Sequence, residues 1–182
     1  MKPFRITVIG AESTGKTTLS RDIADALGGD WVCEFARPYL EITDGEVTKE
    51  SMRAIWYGQH ALQHSAAQSP RHYVVHDTDL FATVGYWQLP HVTGSIGNCP
   101  DELVHDALAD PSDLYLITLS NIPFEQDPLR YGGTVRESPD SYWIELCKTY
   151  HLPALIISSS SRAQRLNQAL SAVNERNLLC MV

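Results

Sequence analysis

The chain has 182 residues, of which 43% are hydrophobic and 20% charged, with 11 Gly and 10 Pro. That is the length and composition of one globular domain, and it excludes a disordered or fibrous chain. The formal net charge is −8, from 14 Lys and Arg against 22 Asp and Glu, so the basic surplus needed for non-specific nucleic-acid or anionic-membrane binding is lacking.

In chain order, Ile6-Thr7-Val8-Ile9 reads as a buried first strand ending at Gly10. Thr17 to Leu27 is predicted helical, with Leu19, Ile23, Ala26 and Leu27 on one face and Gly28-Gly29 as its stop. Trp31 to Glu34 is a second, short strand. A long helix runs from Thr48 to about Gln68, with Ile55 and Leu62 inward and Pro70 beyond its end. His72 to His76 is a third strand running into Asp77, and Leu80 to Trp87 is a helix. Pro90 to Pro100 is rich in Gly, Thr, Ser and Asn and is predicted as a loop. Glu102 to Ala109 is a short helix and Leu114 to Leu119 a fourth strand. The polar stretch 122–140 carries three prolines and two glycines and reads as a functional, lid-like loop. Ser141 to Tyr150 is helical, Ala154 to Ser158 a fifth strand, and Arg162 to Glu175 a last helix. Strands separated by helices predict an α/β domain over 1–182, a five-stranded parallel sheet with helices on both faces.

Cys33, Cys99, Cys147 and Cys180 lie too far apart in sequence for a zinc knuckle or a redox pair and are expected as reduced thiols. No zinc site is expected among the seven histidines. No apolar run approaches the roughly 20 residues of a membrane span. Met1-Lys2-Pro3-Phe4 leads straight into a strand rather than a signal peptide, so a cytoplasmic protein is expected.

The sharpest motif is Gly10-Ala11-Glu12-Ser13-Thr14-Gly15-Lys16-Thr17, which has the spacing G-x-x-x-x-G-K-[ST] between a strand and a helix. Glycines let backbone N–H groups turn inward around a phosphate chain, and the helix N-terminus adds positive potential. Lys16 is placed for the β- and γ-phosphates of ATP and the Thr17 hydroxyl for Mg²⁺. The expected fold is therefore that of P-loop NTPases and kinases. There is no Asn-Lys-x-Asp for guanine, and the chain is short for a remodelling ATPase, which leaves a small-molecule kinase.

Such a kinase needs a metal-side carboxylate, a group for the acceptor hydroxyl, and cations over the transferring phosphate. Asp77 ends a strand where a carboxylate can face Mg²⁺, while a helix-capping role is the plainer reading of it. Asp79, two residues on, could hold a ribose hydroxyl or share the metal. Glu34 closes the second strand on the carboxyl edge of the sheet, where ligands collect, and Arg37 follows it. Glu34 is the first choice for binding or activating the acceptor hydroxyl, with Asp77 and Asp79 as rivals. Phe124, Asp127, Arg130 and Arg136 lie on the lid-like loop, where arginines suit closure over phosphates.

Four blocks resemble the NadR-type ribosylnicotinamide kinases. They are the P-loop with Thr18 and Leu19 after it, Glu34-Phe35-Ala36-Arg37-Pro38-Tyr39-Leu40, Asp77-Thr78-Asp79, and Ile122 to Arg130. Gly58-Gln59 and the late Ser161-x-x-x-Arg165 agree more weakly. Phe124, Pro128 and Pro38 stand where the family usually has Trp, Gly and an acidic residue. The resemblance implies ATP- and Mg²⁺-dependent phosphorylation of nicotinamide riboside to nicotinamide mononucleotide. It implies nucleotide binding by Gly10, Glu12, Ser13, Thr14, Gly15, Lys16, Thr17 and Thr18, with catalysis by Lys16, Glu34, Asp77 and Arg130. A flat cationic ring wants aromatic faces and carboxylates, for which Tyr39, Trp56, Tyr57 and Phe124, with Asp79 and Asp127, are the candidates, and Arg37 is a further substrate-side candidate. Trp87 and Trp143 are expected in the core. The adenylyltransferase and DNA-binding segments of the family's full-length regulators have no counterpart, so a stand-alone kinase is expected. A kinase for another nucleoside, nucleotide or small metabolite, or an ATP-binding sensor without turnover, are the competing readings.

Overall fold

Seven consecutive buried residues, Phe4–Gly10, form strand β1 at the middle of the sheet. The computed structural model describes residues 2–43, 45–124 and 138–180. β1 leads into helix α1 (Lys16–Leu27) and strand β2 (Asp30–Val32). Helices α2 (Ala36–Ile42) and α3 (Lys49–Ala66) precede β3 (Tyr73–Asp77). Then come α4 (Leu80–Gln88), α5 (Pro90–Ile96), α6 (Asp101–Ala109) and β4 (Leu114–Thr118). α7 (Asp140–Thr149), β5 (Ala154–Ile157) and α8 (Arg162–Cys180) complete the described chain.

The strands run parallel in the order β2-β3-β1-β4-β5. The five-stranded parallel sheet expected from the sequence is present, with helices on both faces. β1 and β4 are covered on both sides, which is why each reads as an unbroken buried run. Alternate β1 residues sort to the two faces. Ile6 and Val8 pack with Leu19, Ile23 and Ala24 of α1 and Ala169, Ala172 and Val173 of α8. Ile9 packs with Met52 and Ile55 of α3, Phe81 and Trp87 of α4, Leu103 of α6 and Trp143 of α7. Trp87 and Trp143 are fully buried, as expected.

Helix ends follow local chemistry. Gly28 closes α1 in the left-handed conformation, and the N–H groups of Gly28 and Gly29 return to Asp25 and Ala24 carbonyls. The inward residue near that end is Ala24, not Ala26, which is exposed. Thr48 caps α3 through a capping box with Ser51, at 3.1 and 2.8 Å.

Two expectations need correction. Residues 90–96 are not a loop but α5, because Pro90 sits in the first turn, where its missing N–H costs nothing. The Trp87 indole N–H donates to the Gly97 carbonyl at 3.0 Å and fixes where that helix stops. Strand β2 ends at Val32, so Glu34 lies beyond the strand, in the turn before α2, an element the sequence reading lacks. Among the described residues, no helix is long and apolar enough to cross a membrane. Cys33, Cys99 and Cys147 are free thiols.

Candidate active site

The carboxyl ends of β1, β3 and β4 bring the loop 10–15 beside the end of β3. Sheet order reverses direction around β1, the place where parallel sheets open a ligand crevice. Gly10 is irreplaceable on steric grounds. A Cβ there would lie 2.5 Å from the Thr118 carbonyl and 2.6 Å from its hydroxyl. Ser13 and Gly15 have φ of 54° and 73°, which turns successive peptides toward one concave side.

Several of the loop's carbonyls are engaged within the protein. Lys16 Nζ donates to Gly10 and Ala11 carbonyls at 3.1 and 2.8 Å. The Thr14 hydroxyl donates to the Ala11 carbonyl at 2.8 Å and shares a 2.7 Å bond with the Thr118 hydroxyl. The Thr14 carbonyl accepts from Arg165 Nη2 at 2.5 Å. Glu12 is buried and accepts from the Ser138 hydroxyl, which in turn accepts from the Trp143 indole at 2.8 Å. Thr17 is half-buried and Thr18 exposed on α1.

At the end of β3, Asp77 lies beside Val8 of β1 and is buried. The Thr17 hydroxyl donates to its carboxylate. Oδ1 is buried and has no hydrogen-bond partner among the described residues. Burial pushes the Asp77 carboxyl above its ordinary range, while the Thr17 bond and the charges of Lys16, Arg37 and Arg21 pull it back. One hydroxyl and one unsatisfied carboxylate oxygen form the donor set that Mg²⁺ takes alongside phosphate oxygens and water. Among the described residues, no cluster of three or more His, Cys, Asp or Glu could hold a metal.

Thr78 has φ of 66°, in the left-handed region that a β-branched residue rarely occupies. Its N–H donates to the Val8 carbonyl at 3.1 Å. Asp79 consequently does not share Asp77's environment. It is 1% exposed, caps α4 through the Phe81 N–H at 3.0 Å, and accepts the Tyr115 hydroxyl at 2.7 Å. Burial pushes its carboxyl up to about 6. The capping role weighed for Asp77 belongs to Asp79.

The segment 34–39 is held against the end of β3 by α3. Gln59 is 2% exposed; its Oε1 accepts the Phe35 N–H at 2.9 Å and its Nε2 donates to the Thr78 carbonyl at 3.5 Å. Next to it, a Cβ on Gly58 would fall 2.3 Å from the Phe35 ring. Phe35 and Tyr39 stack at 6.0 Å. Glu34, Arg37 and Tyr39 are half-buried along this segment. Trp56 packs in the core, 5% exposed, with its indole N–H donating to Asp106 at 3.0 Å and its ring stacked on Tyr57.

Of the lid-like loop, Phe124 is described and half-buried, while Asp127, Pro128, Arg130 and Arg136 lie outside the described residues. The segment's two stems meet, because the Ser120 N–H and hydroxyl both donate to Asp140, at 3.0 and 2.6 Å. Sequence reasoning missed Thr118 and Ser138 and undervalued Gln59 and Arg165. The signal for Thr118 was a polar residue ending an apolar strand.

A family model described as an AAA domain matches residues 5–165. The chain belongs to that AAA domain family. No curated protein matches it. Among solved structures, this AAA domain is similar to NadR protein in complex with NR, with TM-score 0.70 and 23% identity. It is similar also to NadR protein in complex with NAD and AMP-PNP, with TM-score 0.71 and 24% identity. Each match covers 96% of this chain but 50% and 49% of the NadR chains, so the AAA domain spans about half their length. Deoxyadenosine kinase from M. mycoides matches at TM-score 0.60 and 14% identity, over 94% of this chain and 99% of that one. Thymidylate kinase from Candida albicans matches at TM-score 0.61 and 11% identity, over 97% and 93%. The AAA domain thus has the fold of P-loop nucleoside and nucleotide kinases, and the likeness to NadR agrees with the resemblance carried by its motifs.

Proposed function

We propose that this AAA domain transfers the γ-phosphoryl group of ATP to the 5′-hydroxyl of nicotinamide riboside, giving nicotinamide mononucleotide and ADP. The observation that carries the reading is the buried, unsatisfied Asp77 Oδ1 beside Thr17, at the end of β3 next to the loop 10–15. Thr17 and Asp77 would hold Mg²⁺, which on binding offsets negative charge between the β- and γ-phosphates. Gly10, Glu12, Ser13, Thr14, Gly15 and Thr18 belong to the nucleotide-binding stretch, and Lys16 supplies its cation. Glu34 takes the proton of the attacking hydroxyl, with Asp77 as the rival base. Arg37 and Tyr39 follow Glu34 on a segment pinned by Gln59, and line the acceptor side. Phe124, Asp127 and Arg130 complete the site from the segment after β4. The motif blocks and the likeness to NadR in complex with NR support this acceptor.

The second reading is the same chemistry on another nucleoside or nucleotide. It is favoured by the deoxyadenosine and thymidylate kinase matches, which cover nearly the whole of both chains. One experiment separates them. Protein is incubated with Mg-ATP and nicotinamide riboside, beside a panel of nucleosides and nucleotides, and products are followed by mass spectrometry. Nicotinamide mononucleotide formed by wild type and not by Lys16→Ala is the expected result. Turnover of another acceptor alone moves the substrate, and ATP binding with no product from any acceptor overturns the kinase reading.

A further inference from the structure

Arg165, in the first turns of α8, is 5% exposed and reaches the phosphate loop across the sheet edge. Its Nη2 holds the Thr14 carbonyl at 2.5 Å. Its Nη1 is buried without a hydrogen-bond partner among the described residues. No carboxylate there shifts its titration; burial alone acts, and lowers it. Arg162, one turn earlier, is the opposite case, an exposed guanidinium paired to Asp22 at 2.8 and 2.7 Å. A guanidinium held out of water with no carboxylate partner among the described residues and an idle donor is costly, so a fold keeps it where something else balances the charge.

The geometry says what that is. The Thr14–Gly15 peptide is trans, as are all described peptides. In a trans peptide the C=O and N–H point in opposite directions. Holding the Thr14 carbonyl therefore sets the Gly15 N–H on the far side of the peptide, toward the concave side of the loop. The fit is close: a Cβ on Gly15 would lie 3.7 Å from Nη2 and 3.3 Å from Ile122 Cδ1. The loop, the start of the 122–140 segment and α8 are thus in mutual contact at this one peptide.

We propose that Arg165 is a positioning residue for polyphosphate binding: it orients the Thr14–Gly15 peptide toward the ligand, and the bound polyphosphate balances its charge. The inference rests on the phosphate-binding reading of the loop and is independent of the acceptor. The test is calorimetric titration of wild type, Arg165→Met, Arg165→Lys and Arg162→Met with inorganic tripolyphosphate and with Mg-ATP, beside melting of each ligand-free protein. Arg165→Met is expected to weaken both ligands by about tenfold to a hundredfold, the weight of a charge-assisted hydrogen bond. Lys at 165 is expected to recover part of the loss, and Arg162→Met to bind like wild type. KM for ATP rises in Arg165→Met while KM for the acceptor holds, a split that a merely structural residue would not produce. Affinity for tripolyphosphate within about twofold of wild type, or a loss matched by Arg162→Met, overturns the proposal. If Arg165→Met does not fold, Arg165→Gln takes its place, and equal affinities for Gln and Lys overturn it. Wild type that binds neither probe overturns the phosphate-loop reading itself, before any variant is compared.

Discussion

Asp79→Asn separates the two roles open to this carboxylate. In the structure it lies in the core, bonded to Tyr115 at 2.7 Å and to the Phe81 N–H at 3.0 Å. Burial raises its carboxyl from 3.8 to about 6. The folded protein therefore keeps a proton that the unfolded chain releases between about pH 4 and 6. This contribution to stability is fully present below pH 4 and lost as pH rises through 6, and it amounts to about 3 kcal/mol. Asn keeps an acceptor for the Phe81 N–H and cannot ionise. The stability of the variant relative to wild type should thus rise by about 3 kcal/mol from pH 4 to pH 7. His76 works in the other direction. It is 1% exposed, its Nδ1 has no partner among the described residues, and burial with the Arg5 charge pushes it down to about 4. Its contribution is present above its ordinary 6.5 and falls away as pH drops toward 4, again by about 3 kcal/mol. The two offset each other in wild type, so Asp79→Asn uncovers a steep loss of stability in acid. Urea denaturation of both proteins at four pH values between 4 and 7 measures this. Parallel profiles, together with a raised acceptor KM, would refute the reasoning and return Asp79 to the substrate side.

Three further outcomes follow from the packing and the site. Gly58→Ala gains about 1 kcal/mol of helix propensity but drives a methyl to 2.3 Å from the Phe35 ring, so the overlap wins and stability falls by up to about 2 kcal/mol. Steady-state kinetics should show the acceptor KM raised and ATP affinity unchanged, because the segment 34–39 is displaced and the phosphate loop is not. Trp143→Ala should cost about 3–5 kcal/mol in denaturant unfolding, and it frees Ser138 from the bond that steadies it against Glu12. Asp77→Asn should raise the Mg²⁺ concentration for half-maximal turnover by about tenfold or more, read from a metal titration at saturating ATP.

The parts of the fold legible in the sequence are those set by local pattern. β1 and β4 are unbroken apolar runs because both faces are covered, and the phosphate loop announces itself through Gly10, Gly15 and Lys16. α2 and α5 were not legible, because each is seven residues long and is held by tertiary contacts rather than by propensity. Asp77 could be placed from its position after β3, but Asp79 could not, because alternation along a strand puts both on one side and the Thr78 backbone breaks that rule. Gln59 and Arg165 act on residues 24 and 151 positions away, a distance over which pattern carries no information. The burial of Trp56 could not be read either, because an aromatic on a helix looks the same in sequence whichever way it faces.

The kink at Thr78 divides two carboxylates that are neighbours in the chain into separate electrostatic compartments. A left-handed threonine costs roughly 1–2 kcal/mol, and bonds to Val8 and Gln59 at its two ends keep it there. The sheet edge then works as a partition, with one acid beside the Thr17 hydroxyl and the Lys16 charge and the other able to carry a proton in the dry interior. Substitutions at the interior acid can therefore retune its proton without disturbing the surroundings of the acid at the sheet edge.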